Sequence, residues 1–268
     1  MTRAGFDVRE VSPARTSDRR RRRRRQKSDR EDALAIAREV LAEEGLPPAI
    51  SASPTSPAHA EIAVVCERRR SLIRRRQRVL NEAEGALSKL PLDLRSHLPA
   101  RGSVLARLRA LAAVDLASTP PSVVELVRWL LEMLADLAEW EARIAGLEER
   151  LPDLLQECGS TLTEEVGIGL ISASELITEV GDPTRFRSEG AFARWCGVAP
   201  IATSSGEGDE EPSRHRLDLL GNRTVNRILY VMSVTQARHD DIGKAFLARK
   251  RAEGKTKKEA RRAHKRQL

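Results

Sequence analysis

Aromatic side chains make up only 3% of this 268-residue sequence: three tryptophans, four phenylalanines and one tyrosine. A surface that stacks bases in long succession needs far more of them, so an extensive single-strand-binding platform is not expected. Cysteine is scarce as well. Cys66, Cys158 and Cys196 are odd in number, far apart and in no CxxC pair. That argues against a disulfide framework and a zinc site, and it suits a reducing compartment. No apolar run reaches the ~20 residues of a membrane-spanning helix, and the amino terminus lacks the apolar stretch of a secretory signal. The expectation is a soluble cytoplasmic protein with no membrane partner.

Positive charge is plentiful. The chain carries 47 Lys+Arg against 39 Asp+Glu, a net charge of +8. The excess is concentrated in the run Arg19–Arg25 and in the segment Lys244–Leu268, which has 11 basic and 2 acidic residues. Cationic blocks of this kind favour a polyanion, because neutralised phosphates release condensed counterions. A solvated charge run is the plainer reading of the seven arginines. With few aromatics, contact through a phosphate backbone fits better than base stacking. Localisation beside the nucleoid follows as an expectation.

Patterning along the chain is mainly that of helices. "GFDVREV" alternates like the last strand of a sheet, and one strand cannot bury itself. In "KSDREDALAIAREVLAEEG", Ser28 and Glu31 have capping-box spacing, and Leu34, Ile36, Ala37 and Val40 supply the expected buried face. Residues 46–60, rich in Pro, Ser and Ala, read as a linker. A helix is expected from Glu61 to about Leu90, with arginines crowding one face, and a short one within 103–117. The clearest period follows. Leu126, Leu130, Met133, Leu137, Trp140, Ile144, Leu147 and Leu151 are spaced alternately four and three apart, an unbroken coiled-coil seam. Such a stripe needs a cover, either the 61–90 helix folding back or a second subunit. Arg69 and Arg76 interrupt the 61–90 pattern and favour a contact that includes the second subunit, so a homo-oligomer through 126–151 is expected. Beyond Pro152 no strand signal stands out; a polar loop at 203–215 precedes a helix from about Arg223 to Ala237 and a basic tail.

Three constellations are chemically suggestive. Gly167-Ile168-Gly169 before a helix exposes backbone amides at a positive helix terminus, either a phosphate seat of the helix-hairpin-helix kind or a tight interhelical turn. Asp29 and Asp32, three apart, place two carboxylates on one side of a helix start, either as Mg²⁺ ligands or as an acidic turn balancing the dipole. The loop "TSSGEGDEEPSRHR" holds Ser204 and Ser205 near Arg214, His215, Arg216 and Arg223. It is either a polar loop tip or a serine nucleophile beside guanidinium groups that stabilise charge on an attacked phosphate.

These pieces occur in a recognisable order. "KSDREDA", an arginine-rich helical middle, "GDPTRFRSEGAFARWCGVAPIATSSGE…RHRLDLLGNRTVNRILYVMSVTQARHD" and "FLARKRAEGKTKKEARRAHKRQL" together resemble the 110/116/902 group of bacterial insertion-sequence transposases. The likeness extends from about residue 5 onward and is most specific over 160–268. It implies a DNA recombinase with a Holliday-junction-resolvase-like amino-terminal domain bearing four acidic residues, a helical dimerising region, and a carboxyl-terminal domain with a nucleophilic serine. It also implies Mg²⁺ on the acidic cluster and guidance by an element-encoded RNA. Residue by residue, Asp29 and Asp32 match the last two acidic positions as catalytic metal ligands, and Ser205, the serine before glycine, matches the nucleophile. Gly167, Gly169, Arg214, Arg216, Asn222 and Arg223 are the expected DNA contacts.

The fold class expected is therefore mainly α: a remnant of a resolvase-like α/β domain at 1–45, a linker at 46–60, a coiled-coil region at 61–155, and a helical domain at 156–268 with a helix-hairpin-helix-like element and basic tail. Two departures stand out. The first two acidic residues of the group's pattern are not present ahead of "KSDREDA", so an amino-terminal truncation and weak or no recombination by the chain alone are expected. Leu219-Leu220 also stand before "GNR", where the group has small or basic residues, and this is expected to weaken a phosphate contact. The chain ends earlier than many relatives. The alternative is a non-catalytic, dimerising DNA- or RNA-binding remnant that modulates intact transposases.

Overall fold

The computed structural model describes residues 8–11, 16, 28–42, 46–49, 56–117, 119–202, 215–217 and 221–268, with the backbone alone at 201, 202 and 215–217. It is mainly helical, and its contacts divide it into two compact units. One contains residues 61–154; the other joins residues 1–60 with 155–268.

The first unit is built on two long helices. Helix α2, Pro57–Leu87, which follows α1, Asp29–Ala42, starts where Ser56 accepts the His59 amide. Short helices α3, Leu92–Ser96, and α4, Val104–Leu111, follow, the latter capped by the Ser103 side chain. Helix α5, Pro121–Glu148, opens on a proline at its first turn, where the missing N–H costs nothing. Its apolar seam is covered within the chain. Leu130 and Leu137 are fully buried, and Met133 and Leu147 nearly so. The upper half of the seam shares one core with Ala83, Ala86 and Leu87 of α2 and Leu108 and Leu111 of α4. Each fully buried leucine contributes about 1.5–3 kcal/mol relative to exposure.

Of the two covers open to the seam, the fold-back of α2 is the one formed in this chain. The arginines that break the α2 pattern are the reason it fits. Arg69 donates to Glu148 at 2.6 Å and Arg76 to Glu141 at 3.0 Å, while Arg150 pairs with Glu61. The pairs run in opposite directions along the two helices, as an antiparallel hairpin requires. Charges that interrupt an apolar stripe here meet acids on the facing helix.

In the second unit, residues 8–10 lie against 46–49 through an antiparallel bridge between Arg9 and Pro48. The Glu10 amide donates to Pro47 O and the Ala49 amide to Val8 O. The segment read as a strand thus makes a single bridge, to the stretch read as linker; Phe6 falls outside the described residues. Helix α1, Asp29–Ala42, is capped by Ser28, whose Oγ accepts the Glu31 amide. Its inward side is Ala35 and Glu39, while Ile36 and Val40 stay exposed. The expected apolar face is therefore not the buried one; the helix turns in the side carrying the small Ala35.

The carboxyl-terminal part contains α6, Leu151–Glu157, a 3₁₀ turn at Leu162–Glu164, α7, Leu170–Val180, and α8, Glu189–Trp195. Two three-residue strands follow, β1 at Pro200–Ala202 and β2 at His215–Leu217, antiparallel, with Ile201 opposite Arg216. Strands this short show no alternation in sequence. Helices α9, Arg223–His239, α10, Asp241–Ala252, and α11, Lys257–Gln267, complete the unit. The expected basic tail is thus two folded helices. Thr256 and Glu259 form a full capping box at the start of α11, and Ala260, His264 and Lys265 are buried.

Candidate functional site

The serine-bearing stretch is the connection between β1 and β2. Ser204, Ser205 and Arg214 lie outside the described residues, and Arg216 is described only by its backbone on β2. The described residues on either side of the hairpin meet directly, forming its foot. The Asn222 amide donates to Trp195 O at 2.7 Å, joining the residue after the hairpin to the helix before it. Between them Gly221 presses on Gly197: a Cβ on Gly221 would lie 2.2 Å from the Gly197 nitrogen, a clash that only a shift of the backbone relieves. Gly197 itself sits at φ +70°, the left-handed region glycine adopts readily. "GNR" and "CGVAP" are two halves of one clamp.

Asparagines complete it. The Asn222 side chain caps α9 by accepting the Val225 amide, and its Nδ2 donates to Glu179 on α7. One turn later, Asn226 Nδ2 donates to the carbonyls of both Cys196 and Gly197, each at 2.9 Å. Its Oδ1 accepts from Lys265 Nζ at 2.8 Å. The Lys265 ammonium is buried, and burial with the nearby Arg262 charge lowers its pKa. The hydrogen bond to the amide oxygen offsets part of the cost of burying the ammonium. Cys196 lies in the same foot and is no rival nucleophile: burial pushes its thiol up to about 12 despite the opposing pull of Arg185.

The amino-terminal segment reaches this foot. Arg185 donates to Glu10 at 2.7 Å, to Pro48 O and to Val180 O. Its guanidinium lies over the rings of Phe186 and Trp195. The Trp195 indole donates to the other Glu10 oxygen at 3.0 Å. Trp195 thus joins the 8–10 segment through its ring and the hairpin foot through its carbonyl.

The remaining expected residues are placed as follows. Gly167 has φ +97°, and a Cβ there would lie 2.9 Å from Met232 Cα. With Gln236 donating to Val166 O, the turn is packed against α9. Gly169 has open space around it and begins α7 without a side-chain cap. Arg223 is exposed on the first turn of α9. Asp29 is exposed and Asp32 half-buried on the first turn of α1. No group of three or more His, Cys, Asp or Glu that could hold a metal occurs among the described residues. Two carboxylates in one helical turn match the mode in which Mg²⁺ takes one or two carboxylates with water and phosphate oxygens. Sequence reading missed Glu10, Arg185, Trp195 and Asn226. The only available signal was Asn226 standing four residues after Asn222.

Comparison with known proteins covers the same segment. Residues 159–248, which contain α7, the hairpin and α9, match the profile described as "Transposase IS116/IS110/IS902 family". Residues 1–90 match a second transposase profile of that group. A Pseudomonas aeruginosa protein named "Probable family 20 transposase" is 32% identical over 183 residues, 67% of this chain and 52% of its own length. A Streptomyces coelicolor protein named "Insertion element IS110 uncharacterized 43.6 kDa protein" is 31% identical over 123 residues, 45% of this chain and 28% of its own. The chain belongs to the IS116/IS110/IS902 transposase family, and it spans about half the length of the first of these relatives.

Proposed function

We propose that this chain breaks and rejoins insertion-sequence DNA with Ser205 as the attacking group. The observation that carries the reading is the clamped foot under the serine loop, within the segment that matches the family. A nucleophile on a long connection needs rigid ends to meet its phosphate in line. In the step proposed, Ser205 Oγ bonds to phosphorus and the bond from phosphorus to one bridging nucleotide oxygen breaks. The serine proton leaves to solvent or a base, and the departing oxygen gains one. Arg214, Arg216 and Arg223 neutralise the charge that develops on the phosphate.

The other expected residues take graded roles. Asn222, with both ends of its amide engaged, acts by holding the start of α9 rather than by a free contact. Gly167 serves packing, and the open amides at Gly169 offer a backbone phosphate seat as part of a helix-hairpin-helix-like element. Asp29 and Asp32 would hold Mg²⁺, which supplies charge neutralisation when bound. An element-encoded RNA and a second copy of the chain remain partners in this reading. A contact between copies would use faces other than the covered part of the α5 seam. The partition into an acidic amino-terminal part, a helical middle and a serine-bearing part, and a place on nucleoid DNA, belong to the same reading.

The test is a denaturing gel of the full chain incubated with Mg²⁺ and nicked element-end DNA, where one transfer suffices. A DNA-linked band is expected for the wild type and for Ser204→Ala and is absent for Ser205→Ala. DNA binding without any linked band contradicts the serine chemistry and favours the non-catalytic binding module.

A further inference from the structure

Helix α9 leaves the hairpin foot with Arg223, Arg227 and Tyr230 at i, i+4 and i+7, a single stripe, and all three are exposed. Arg227 is held by Glu175 of α7, whose carboxylate is almost fully buried while the guanidinium remains 58% exposed. Tyr230, the only tyrosine of the chain, is 47% exposed. From the neighbouring α11, Arg261 sits over its ring at 5.4 Å and donates to its hydroxyl at 3.3 Å. The stripe thus begins at the hairpin foot, a few residues after β2, and rises about 10 Å to Tyr230, given 1.5 Å per residue.

An aromatic ring left half in water, beside two oriented guanidinium groups, is poorly used as a core residue. It suits a nucleobase, which offers a π-face to the ring while its phosphates meet the arginines. A base inside a duplex keeps both faces stacked on its neighbours, so the ring suits an unpaired one. We infer that Tyr230, flanked by Arg227 and Arg261, is a stacking platform for one unpaired nucleotide of the DNA strand whose phosphate lies at the serine loop. This deepens the proposed reaction and rests on it for the identity of the strand. The low aromatic content is consistent with one platform rather than a row of them.

The experiment measures binding, not turnover, so it fails separately from the serine chemistry. Fluorescence anisotropy compares the full chain on a short fully paired duplex and on the same duplex with one unpaired nucleotide. The wild type and Tyr230→Phe are expected to prefer the unpaired form by tenfold or more, the order expected for one base stack, and Tyr230→Ala to bind both forms equally. A 2-aminopurine at the unpaired position is expected to be quenched by the wild type, a readout that does not depend on any variant folding. An unquenched probe, no preference in the wild type, or a preference unchanged in Tyr230→Ala overturns the inference. Tighter, Tyr230-dependent binding of an RNA oligomer of the same sequence overturns it too, by assigning the platform to RNA.

Discussion

The α2–α5 hairpin and the foot of the serine loop are both tightly organised, but by opposite means. The hairpin relies on repeated burial: leucines every three or four residues, with charges kept for the margins, where Arg69 and Arg76 meet Glu148 and Glu141. Loss of one contact leaves its neighbours in place. The foot relies on a few dissimilar contacts: one glycine against another, one asparagine bridging two carbonyls and a lysine, and Trp195 with Arg185 on one glutamate. Repetition gives a stable body, whereas a site needs a particular geometry, and particular geometry is made of contacts that occur once.

Substitution should bring the difference out. The largest loss of stability is expected from Leu137→Ala, which opens a cavity at a fully buried position. About 2–5 kcal/mol is the usual cost, read as a lower midpoint in urea unfolding, with the hairpin melting ahead of α9–α11 by hydrogen exchange. Gly221→Ala is expected to cost about 1–3 kcal/mol as overpacking, because the backbone it meets must move. Here function should fall further than stability, with adduct formation lost while the helical circular dichroism persists. Equal losses of stability and adduct would break the contrast between the two regions. The smallest effect is expected at Arg76 and Glu141. A double-mutant cycle should give a coupling of about 0.2–1 kcal/mol, as for other partly exposed pairs, and a larger value would mean the hairpin depends on its charges.

The same contrast explains what could be read in advance. The 126–151 seam is legible because a helix buried along one side repeats its apolar residues at the helical period. Its cover was harder to choose, since period says nothing about where the Arg69 and Arg76 partners lie. Ser28 and Thr256 show themselves as caps through local chemistry, and Ser28 was read as one. On α1 the pattern misled, because Ile36 and Val40 look like a core face and are exposed. The foot was nearly invisible. Glu10 and Arg185 lie 175 residues apart, and Trp195 and Asn222 meet through backbone atoms that carry no sequence signature. Resemblance supplied Ser205, Asn222 and Arg223 as residues, but not the clamp that joins their neighbours.

The central claim is that a clamped loop presents Ser205, and no other serine, to a DNA phosphate. It is tested most directly by digesting the trapped protein–DNA complex and mapping the modified residue by tandem mass spectrometry. The account predicts a nucleotide mass on Ser205. A nucleotide on Ser204 or elsewhere, or DNA-binding protein that never acquires one, would contradict it.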